Sequence, residues 1–200
     1  IYIEVNMMEI EKWLNDVLEK KNKRAMPIIT FPAATKLNIS VKKLINDTDQ
    51  QVAALKIIKE ECNPLAILGF MDLSVEAECF GAEIKVTDNE VPTVVGQLIK
   101  DEDDAQALKV PAVGSGRSQL YIDAIKKTKA EIKDIPILGG CIGPFSLAGR
   151  LMDVSEAMIN CYEEPEMVHI VLEKATKFLI DYISAYKEAG AVSYTHLTLP

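Results

Sequence analysis

The feature that most constrains the fold is a set of short, almost entirely apolar runs separated by longer amphipathic stretches. The runs occupy residues 27–31, 65–70 and 135–142. Strands that are apolar along their whole length are typical of parallel sheets whose two faces are both covered by helices. The sequence therefore predicts an α/β fold with at least three parallel strands.

Amphipathic helices are predicted around these strands at residues 9–21, 40–45, 48–62, 117–132, 155–162 and 165–189. The last of them carries one long apolar stripe, formed by Val168, Val171, Leu172, Ala175, Phe178, Leu179, Tyr182, Ile183 and Tyr186.

Residues 83–86 and 91–95 predict a hairpin-like pair of short strands. Three apolar strands are too few to close a barrel, and the last helix ends where a fourth strand is expected. No linker divides the chain, so we expect one unfinished domain.

Charge and composition exclude several classes of protein. Among 200 residues, 22 are Lys or Arg and 30 are Asp or Glu, and no long basic run is present, which argues against a nucleic-acid or anionic-membrane partner. Without a signal peptide or an apolar run of about 20 residues, a cytoplasmic location is expected. The four cysteines form no CxxC pair and are predicted to be reduced, mostly buried thiols: Cys62, Cys79, Cys141 and Cys161.

A first candidate site follows the apolar run 65–70. In parallel α/β folds, reactive groups gather where strands end, and Asp72 lies directly after this run. Glu76 is four residues further on, so a helix would place both carboxylates on one side, where they could polarise a substrate or accept a proton. The alternative is that Asp72 only caps the following helix.

A second candidate is the stretch 113–118, where Gly114 and Gly116 precede Arg117. Glycine-flanked amides with one arginine could hold a carboxylate, sulfonate or phosphate, and a plain turn with a solvated arginine is the alternative. The stretch matches no nucleotide-binding pattern.

The third candidate is the glycine-rich stretch 139–150. Its glycines could let the backbone approach a ligand, but close packing between a helix and a strand would favour the same residues. Cys141 lies inside an apolar run and is predicted to be an inert core thiol rather than a nucleophile. His169 has no nearby metal-ligand partner and is predicted to be a structural or surface histidine, so no metal site is assigned.

Three segments together resemble the uroporphyrinogen decarboxylase superfamily: residues 71–81, 90–94 and 143–151. The resemblance extends from about Met8 to Ala191 and is closest to the corrinoid-dependent methyltransferase branch, which includes methylcobamide:coenzyme M methyltransferases. Members of the superfamily are TIM (β/α)8 barrels. The resemblance therefore implies that residues 8–191 form the amino-terminal half of such a barrel, truncated.

That branch implies an enzyme that moves a methyl group from a methylated corrinoid protein to a thiol or related acceptor. The methylcobamide is carried by the partner protein, and a zinc held by a His-x-Cys pair and a later cysteine is expected beyond Ala191. The chain alone is predicted to be inactive. By the same resemblance, Asp72 is the catalytic candidate, and the substrate-binding candidates are Glu76, Arg117, Ser146 and Arg150.

Porphyrinogen decarboxylation is the alternative activity. Residues 32–36 stand where decarboxylases carry an Arg-Gln-Ala-Gly-Arg motif, and both arginines are absent. Arg150 takes the place of a tyrosine, whereas the nine-residue spacing from Asp72 to Gly81 is retained. The lost arginines would bind the carboxylates of the substrate. A non-catalytic member that binds a corrinoid or another tetrapyrrole is a third possibility.

The two ends of the chain differ from the rest. Residues 1–7 are interpreted as a doubtful extension, because Met7 and Met8 are the first candidate initiators. Residues 192–200 resemble a translated sequencing adaptor and are set aside as an artefact, and His196 with them.

Overall fold

A computed structural model describes residues 7–191 and 193–195, with side chains from residue 11 to residue 191. The described chain is a mixed α/β structure. Its helices are α1 Met7–Glu19, α2 Ala33–Leu37, α3 Val41–Ile45, α4 Thr48–Cys62, α5 Val75–Cys79, α6 Glu102–Ala107, α7 Ser118–Glu131, α8 Pro144–Met152, α9 Val154–Glu163 and α10 Pro165–Glu188. Its strands are β1 Ile67–Leu68, β2 Glu83–Lys85, β3 Thr93–Val95, β4 Ile137–Gly140 and β5 Ser193–Thr195.

The main sheet is parallel and has the order β1-β4-β5. Ile67 of β1 lies opposite Ile137 of β4, and Leu138 of β4 lies opposite Ser193 of β5. Two of the three apolar runs thus form neighbouring buried strands, as predicted, and β2 and β3 form the predicted antiparallel hairpin. Within the described residues, β5 takes the position where a further strand is expected.

Some predictions about the ends fall on residues outside this description. Residues 1–6, 192 and 196–200, including His196, are not described. The pairing of β5 with β4 does not identify the origin of residues 192–200, so their assignment as an artefact stays a prediction.

The prediction of a strand at residues 27–31 is wrong. The segment forms no ladder, and the backbone contact of this region with the β1 region is a hydrogen bond of 2.8 Å from the amide of Leu65 to the carbonyl of Ala25. Ile28 and Ile29 are 61% and 42% exposed. A parallel strand is stabilised by ladder partners and by cover on both faces, and this segment has neither among the described residues.

The helices follow local signals closely. Asp47 accepts hydrogen bonds from the amides of Asp49 and Gln50 and so begins α4, and Asn63 ends it in a left-handed conformation with φ of 43°. The predicted bounds of α4 are confirmed, those of α3 and α10 differ by one residue at one end, and those of α7 and α9 differ by one residue at each end.

Three helices were not predicted: α2, α6 and α8. The last of them lies in the glycine-rich stretch 139–150, where β4 extends to Gly140 and α8 begins at Pro144. Proline is favoured in the first turn of a helix, because backbone N–H groups at that position have no acceptor within the helix.

The core lies between the sheet and α10. The predicted stripe of α10 is buried over most of its length, and Phe178, Tyr182 and Tyr186 stack one after another along it. A side chain at Gly139 would place its Cβ 2.9 Å from the ring of Tyr186. At this position, therefore, glycine permits close packing of the helix on the strand.

The four cysteines differ in burial, and Cys79 is half-buried. Cys141 is buried, and burial raises the pKa of its thiol to about 12, as expected of an inert core thiol. Cys62 and Cys161 are exposed on helices, so the prediction of mostly buried thiols is wrong for these two. In the described part of the chain, no helix combines the length and the hydropathy that spanning a bilayer requires.

Candidate functional site

Asp72 is the best-connected side chain of the candidate site. It lies in the loop between β1 and α5 and is 3% exposed. Its Oδ2 accepts hydrogen bonds from Arg117 Nη1 and, at 3.0 Å, from the Tyr121 hydroxyl. Its Oδ1 accepts from the backbone amide of Ser74 at 3.1 Å and from the Ser74 hydroxyl at 2.6 Å. Four donors hold this carboxyl group in a fixed orientation.

The capping interpretation of Asp72 is correct in part. The bond to the Ser74 amide holds the turn directly before α5, which begins at Val75. The bonds from Arg117 and Tyr121 come from a distant part of the chain and serve no capping purpose. Asp72 therefore both shapes the local turn and lies at the centre of a long-range network.

Arg117 is buried beside Asp72, so the interpretation of a solvated arginine in a plain turn is wrong. Its Nη2 donates to the Ser74 hydroxyl at 2.9 Å, and its Nε donates to Glu78 Oε2 at 2.7 Å. Burial alone would lower the pKa of the guanidinium, but the charge of Asp72 raises it. Gly114 and Gly116 have positive φ values of 97° and 53°, which make the turn that brings Arg117 inward.

Three members of this network were missed by the sequence reasoning: Ser74, Glu78 and Tyr121. A signal existed for Tyr121, because it lies four residues after Arg117 and a helix places such residues on one face. Burial raises the pKa of the Tyr121 hydroxyl well above its usual range, so this group stays a hydrogen-bond donor. Ser74 follows Asp72 by two residues, the spacing of an Asx turn.

Glu76 is equally buried but has few partners. It lies on α5, is 3% exposed, and its Oε1 accepts a hydrogen bond of 3.0 Å from the amide of Ile142, just past β4. Its Oε2 has no hydrogen-bond partner among the described residues. Burial raises the pKa of Glu76 to about 7, although the hydrogen bond from Ile142 lowers it.

A cleft of about 530 Å³ opens beside this network. Its walls are largely apolar, and they are formed by Phe31, Met71, Leu73, Ser74, Val91, Pro92, Thr93, Val94, Gly96, Gly149, Arg150, Asp153 and Val154. Arg150 is anchored by a hydrogen bond from its Nε to the carbonyl of Leu73, and burial lowers the pKa of its guanidinium. A cleft of this size can hold a small molecule.

The structure brings together four of the five predicted site residues. Asp72 and Arg117 are in direct contact, Glu76 lies one helical turn beyond Asp72 on α5, and Arg150 lines the cleft. Of the five, Arg150 lines the cleft, whereas four are buried and are not among the residues that line it: Asp72, Glu76, Arg117 and Ser146.

Residues 32–36 contribute no positive charge to the cleft. Ala33 and Ala34 are buried in α2, and Lys36 forms an ion pair of 3.0 Å with Glu61 at the surface. Lys36, Ala33 and Ala34 do not line the cleft.

The described side chains do not fit a zinc site. Within residues 11–191, no group of three His, Cys, Asp or Glu side chains is placed to hold a metal ion. His169 is exposed on α10, in agreement with a surface histidine.

Comparison with known proteins gives two kinds of relative. A methylcobamide:CoM methyltransferase of Methanosarcina acetivorans is 35% identical over 123 residues, which cover 60% of this chain and 36% of that protein. A uroporphyrinogen decarboxylase of Coxiella burnetii is 28% identical over 135 residues, which cover 63% of this chain and 36% of that protein. The match thus spans about a third of the length of these relatives.

A solved methyltransferase structure from Methanosarcina mazei has the same fold. It superimposes with a TM-score of 0.77 at 23% identity, over 91% of this chain and 56% of that chain. Residues 22–196 match the family described as uroporphyrinogen decarboxylase (URO-D). This match covers well over half of the sequence, and the chain belongs to the uroporphyrinogen decarboxylase family.

Proposed function

We propose that the chain is part of a methyltransferase that moves a methyl group from a methylated corrinoid protein to a thiol or related acceptor. The observation that carries the proposal is the 35% identity to a methylcobamide:CoM methyltransferase. In this proposal, residues 8–191 are the amino-terminal half of a TIM barrel, and the active site forms at the carboxyl ends of its strands. The expected zinc has no ligand set among the described residues, so no step is derived through it.

The charge distribution favours methyl transfer over decarboxylation. A porphyrinogen carries several carboxylates, and an enzyme that binds it needs cationic groups facing the substrate. Residues 32–36 supply none, because Ala33 and Ala34 are buried and Lys36 is paired with Glu61 outside the cleft. Arg150 is the one cationic residue among those that line the cleft.

The site residues have different roles in this proposal. Arg150 is the substrate-binding cation, because its Nε is fixed on Leu73 while the guanidinium borders the cleft. Arg117 is a positioning residue, since its nitrogens donate to Asp72, Ser74 and Glu78. The assignment of Asp72 as the catalytic residue stays a prediction, because its two oxygens accept bonds from Ser74, Arg117 and Tyr121 and it is not among the residues that line the cleft. The assignment of Ser146 to substrate binding stays a prediction.

The reaction balances as a transfer of CH3⁺ between two nucleophiles. The carbon–cobalt bond of the methylcobamide breaks, and its electron pair stays on the cobalt. The thiol loses its proton, and the sulfur forms the new bond to carbon. The products are a thioether, a demethylated corrinoid and one proton, which a group of the protein or solvent must accept.

The test is an assay of the protein expressed from its complete gene. We expect it to demethylate methylcobalamin in the presence of a thiol, followed by the absorbance change of the cobalamin and by quantification of the thioether. Asp72→Asn should lower kcat by about 100-fold or more, whereas Glu83→Gln, on exposed β2, should leave it unchanged. Turnover of uroporphyrinogen without methyl transfer would overturn the proposal.

Decarboxylation is kept as the second candidate because one observation favours it. Asp72 and its spacing to Gly81 are present, and the structure buries Asp72 in the loop between β1 and α5. The same preparation should therefore be given uroporphyrinogen, with coproporphyrinogen as the product to be measured.

A further inference from the structure

The cleft beside the Asp72 network has one cation and one anion in its wall. Arg150 lies in the last turn of α8, and Asp153 lies three residues further on, at the junction of α8 and α9. Every other residue that lines the cleft is apolar, a glycine, or a serine or threonine. A ligand in this cleft therefore meets two opposite charges that lie close together in the chain.

The guanidinium of Arg150 is available to an anionic ligand. Its Nε donates to the carbonyl of Leu73, but its two Nη groups form no hydrogen bond or ion pair with another described residue. Burial lowers the pKa of this guanidinium, although the carboxyl groups of Glu76 and Asp72 act in the opposite direction. Because a cation that is partly removed from water is stabilised by an anion, Arg150 favours a ligand with a negative charge.

The carboxylate of Asp153 is available to a cationic group. Its Oδ1 accepts a hydrogen bond of 2.8 Å from the amide of Ser155 and so caps α9, whereas its Oδ2 has no hydrogen-bond partner in the described part of the chain. The residue is exposed, and no ion pair joins it to Arg150 within the described residues. Two opposite charges that do not pair with each other are both open to one ligand.

An α-amino acid has the matching arrangement of charges. Its carboxylate and its ammonium group are attached to the same carbon, so a guanidinium can bind the first while a neighbouring carboxylate binds the second. A ligand with a negative charge alone would be attracted by Arg150 but repelled by Asp153. The rest of the ligand would contact the apolar wall, which includes Met71, Leu73 and Val94.

We propose that this cleft binds an α-amino acid as a zwitterion, with the carboxylate on Arg150 and the ammonium group on Asp153. The methyl acceptor is then an α-amino acid that carries a thiol, a statement that rests on the proposed function, whereas the binding of the amino acid does not. The sulfur loses its proton to water and forms the bond to the methyl carbon, and the electron pair of the carbon–cobalt bond stays on the cobalt. The product is a thioether amino acid.

The charge preference of the cleft is tested by isothermal titration calorimetry on the wild-type protein expressed from its complete gene. Three thiols separate the charges: L-homocysteine has both, 3-mercaptopropionate has only the carboxylate, and cysteamine has only the ammonium group. L-Homocysteine should bind about 10-fold more tightly than either of the others, because it forms one more hydrogen bond between charged groups. Equal affinities for L-homocysteine and 3-mercaptopropionate, or no binding of L-homocysteine, would overturn the proposal.

Substitution of Asp153 separates a binding role from a structural one. Asparagine caps helices as well as aspartate does and also tolerates a positive φ, which is 72° here, so Asp153→Asn removes little besides the charge. It should weaken the binding of L-homocysteine by about 10-fold, whereas 3-mercaptopropionate should bind as tightly as before or more tightly. The matched control is Asp103→Asn on exposed α6, which should change none of the affinities. An equal loss for all three thiols in Asp153→Asn would contradict the proposal.

Arg150→Met provides the complementary change, because methionine keeps an apolar stem without the cation. This variant should bind L-homocysteine and 3-mercaptopropionate about 10-fold more weakly and cysteamine as well as the wild type does. Loss of cysteamine binding to the same extent would mean that the cleft itself had changed. The wild-type measurements with the three thiols do not depend on how this variant folds.

Kinetics distinguish failure of this proposal from failure of the proposed function. With methylcobalamin as donor, Asp153→Asn should raise KM for L-homocysteine by about 10-fold and leave kcat almost unchanged, as expected for an interaction that binds the substrate and the transition state equally. Methyl transfer without any preference for L-homocysteine would contradict the amino-acid site alone. Tight binding of L-homocysteine by a protein that transfers no methyl group would instead contradict the proposed function.

Discussion

Two carboxylates four residues apart lie in very different surroundings. The loop before α5 surrounds Asp72 with donors from Ser74, Arg117 and Tyr121, whereas the middle of α5 gives Glu76 a single amide from Ile142. Both residues are 3% exposed. Equal burial therefore does not give two carboxyl groups equal hydrogen-bond partners, because the donors are brought by distant parts of the chain.

The largest expected effect comes from removing the cation of the Asp72 network. Arg117→Ala leaves Asp72 and Glu78 without their partner, and breaking a buried pair in this way costs about 3–5 kcal/mol of unfolding free energy. Urea denaturation of the complete protein measures it. The matched control is Lys36→Ala, which removes a surface cation paired with Glu61 and should leave the urea midpoint in place. Equal midpoints for the two variants would contradict the buried network.

The second prediction concerns the pH dependence of stability. The folded protein holds a proton on Glu76 up to a pKa of about 7, compared with 4.5 for an unperturbed glutamate. Between these values the folded state binds more protons than the unfolded state, so Glu76 makes stability fall as pH rises, by about 3 kcal/mol in all.

Glu76→Gln should remove this part of the slope, because glutamine does not titrate. Urea midpoints measured at several pH values from 4 to 8 would show a flatter profile for Glu76→Gln than for the wild type and for Glu83→Gln. Parallel profiles would show that Glu76 ionises normally in the folded protein.

The smallest effect is expected at the edge of the Asp72 network. Tyr121→Phe removes one donor of four and keeps the ring, so it should cost about 1–2 kcal/mol, as for one hydrogen bond to a charged group. Combining it with Arg117→Ala tests whether the two donors act through the same carboxylate. Substitutions of residues that share a partner do not have additive effects on the free energy of unfolding. If the two substitutions lower the free energy of unfolding by strictly additive amounts, Arg117 and Tyr121 do not act through a shared carboxylate. The contrast between a connected Asp72 and an isolated Glu76 would then be wrong.

Much of the secondary structure was accessible from local patterns. The bounds of α4 follow from its capping residues Asp47 and Asn63, and α10 follows from a stripe of apolar residues at helical spacing. The segment 27–31 shows the limit of such patterns, because its apolar run predicts a strand that has no ladder partner. α8 was missed because glycines before and within it are typical of a loop, although Pro144 marks its start.

The candidate site was predictable as a set of positions but not as a set of contacts. Asp72 and Glu76 follow from their place after an apolar strand, and Arg117 from the glycines around it. What was not predictable is that Arg117 is neutralised by Asp72, from which it is separated by 45 residues. No local pattern encodes a contact of that length.

The sequence by itself determined the α/β class, most of the helices, and the location of candidate residues after the apolar strands, because these depend on periodicity and capping within a few residues. The tertiary structure alone decided which carboxylate is paired and which is left without a cation. That outcome depends on the parallel pairing of β1 with β4, which places the loop after each strand at one edge, and on α7, which brings Arg117 and Tyr121 to Asp72. The hydrogen-bond and ion-pair partners in the site therefore follow from packing over long chain distances.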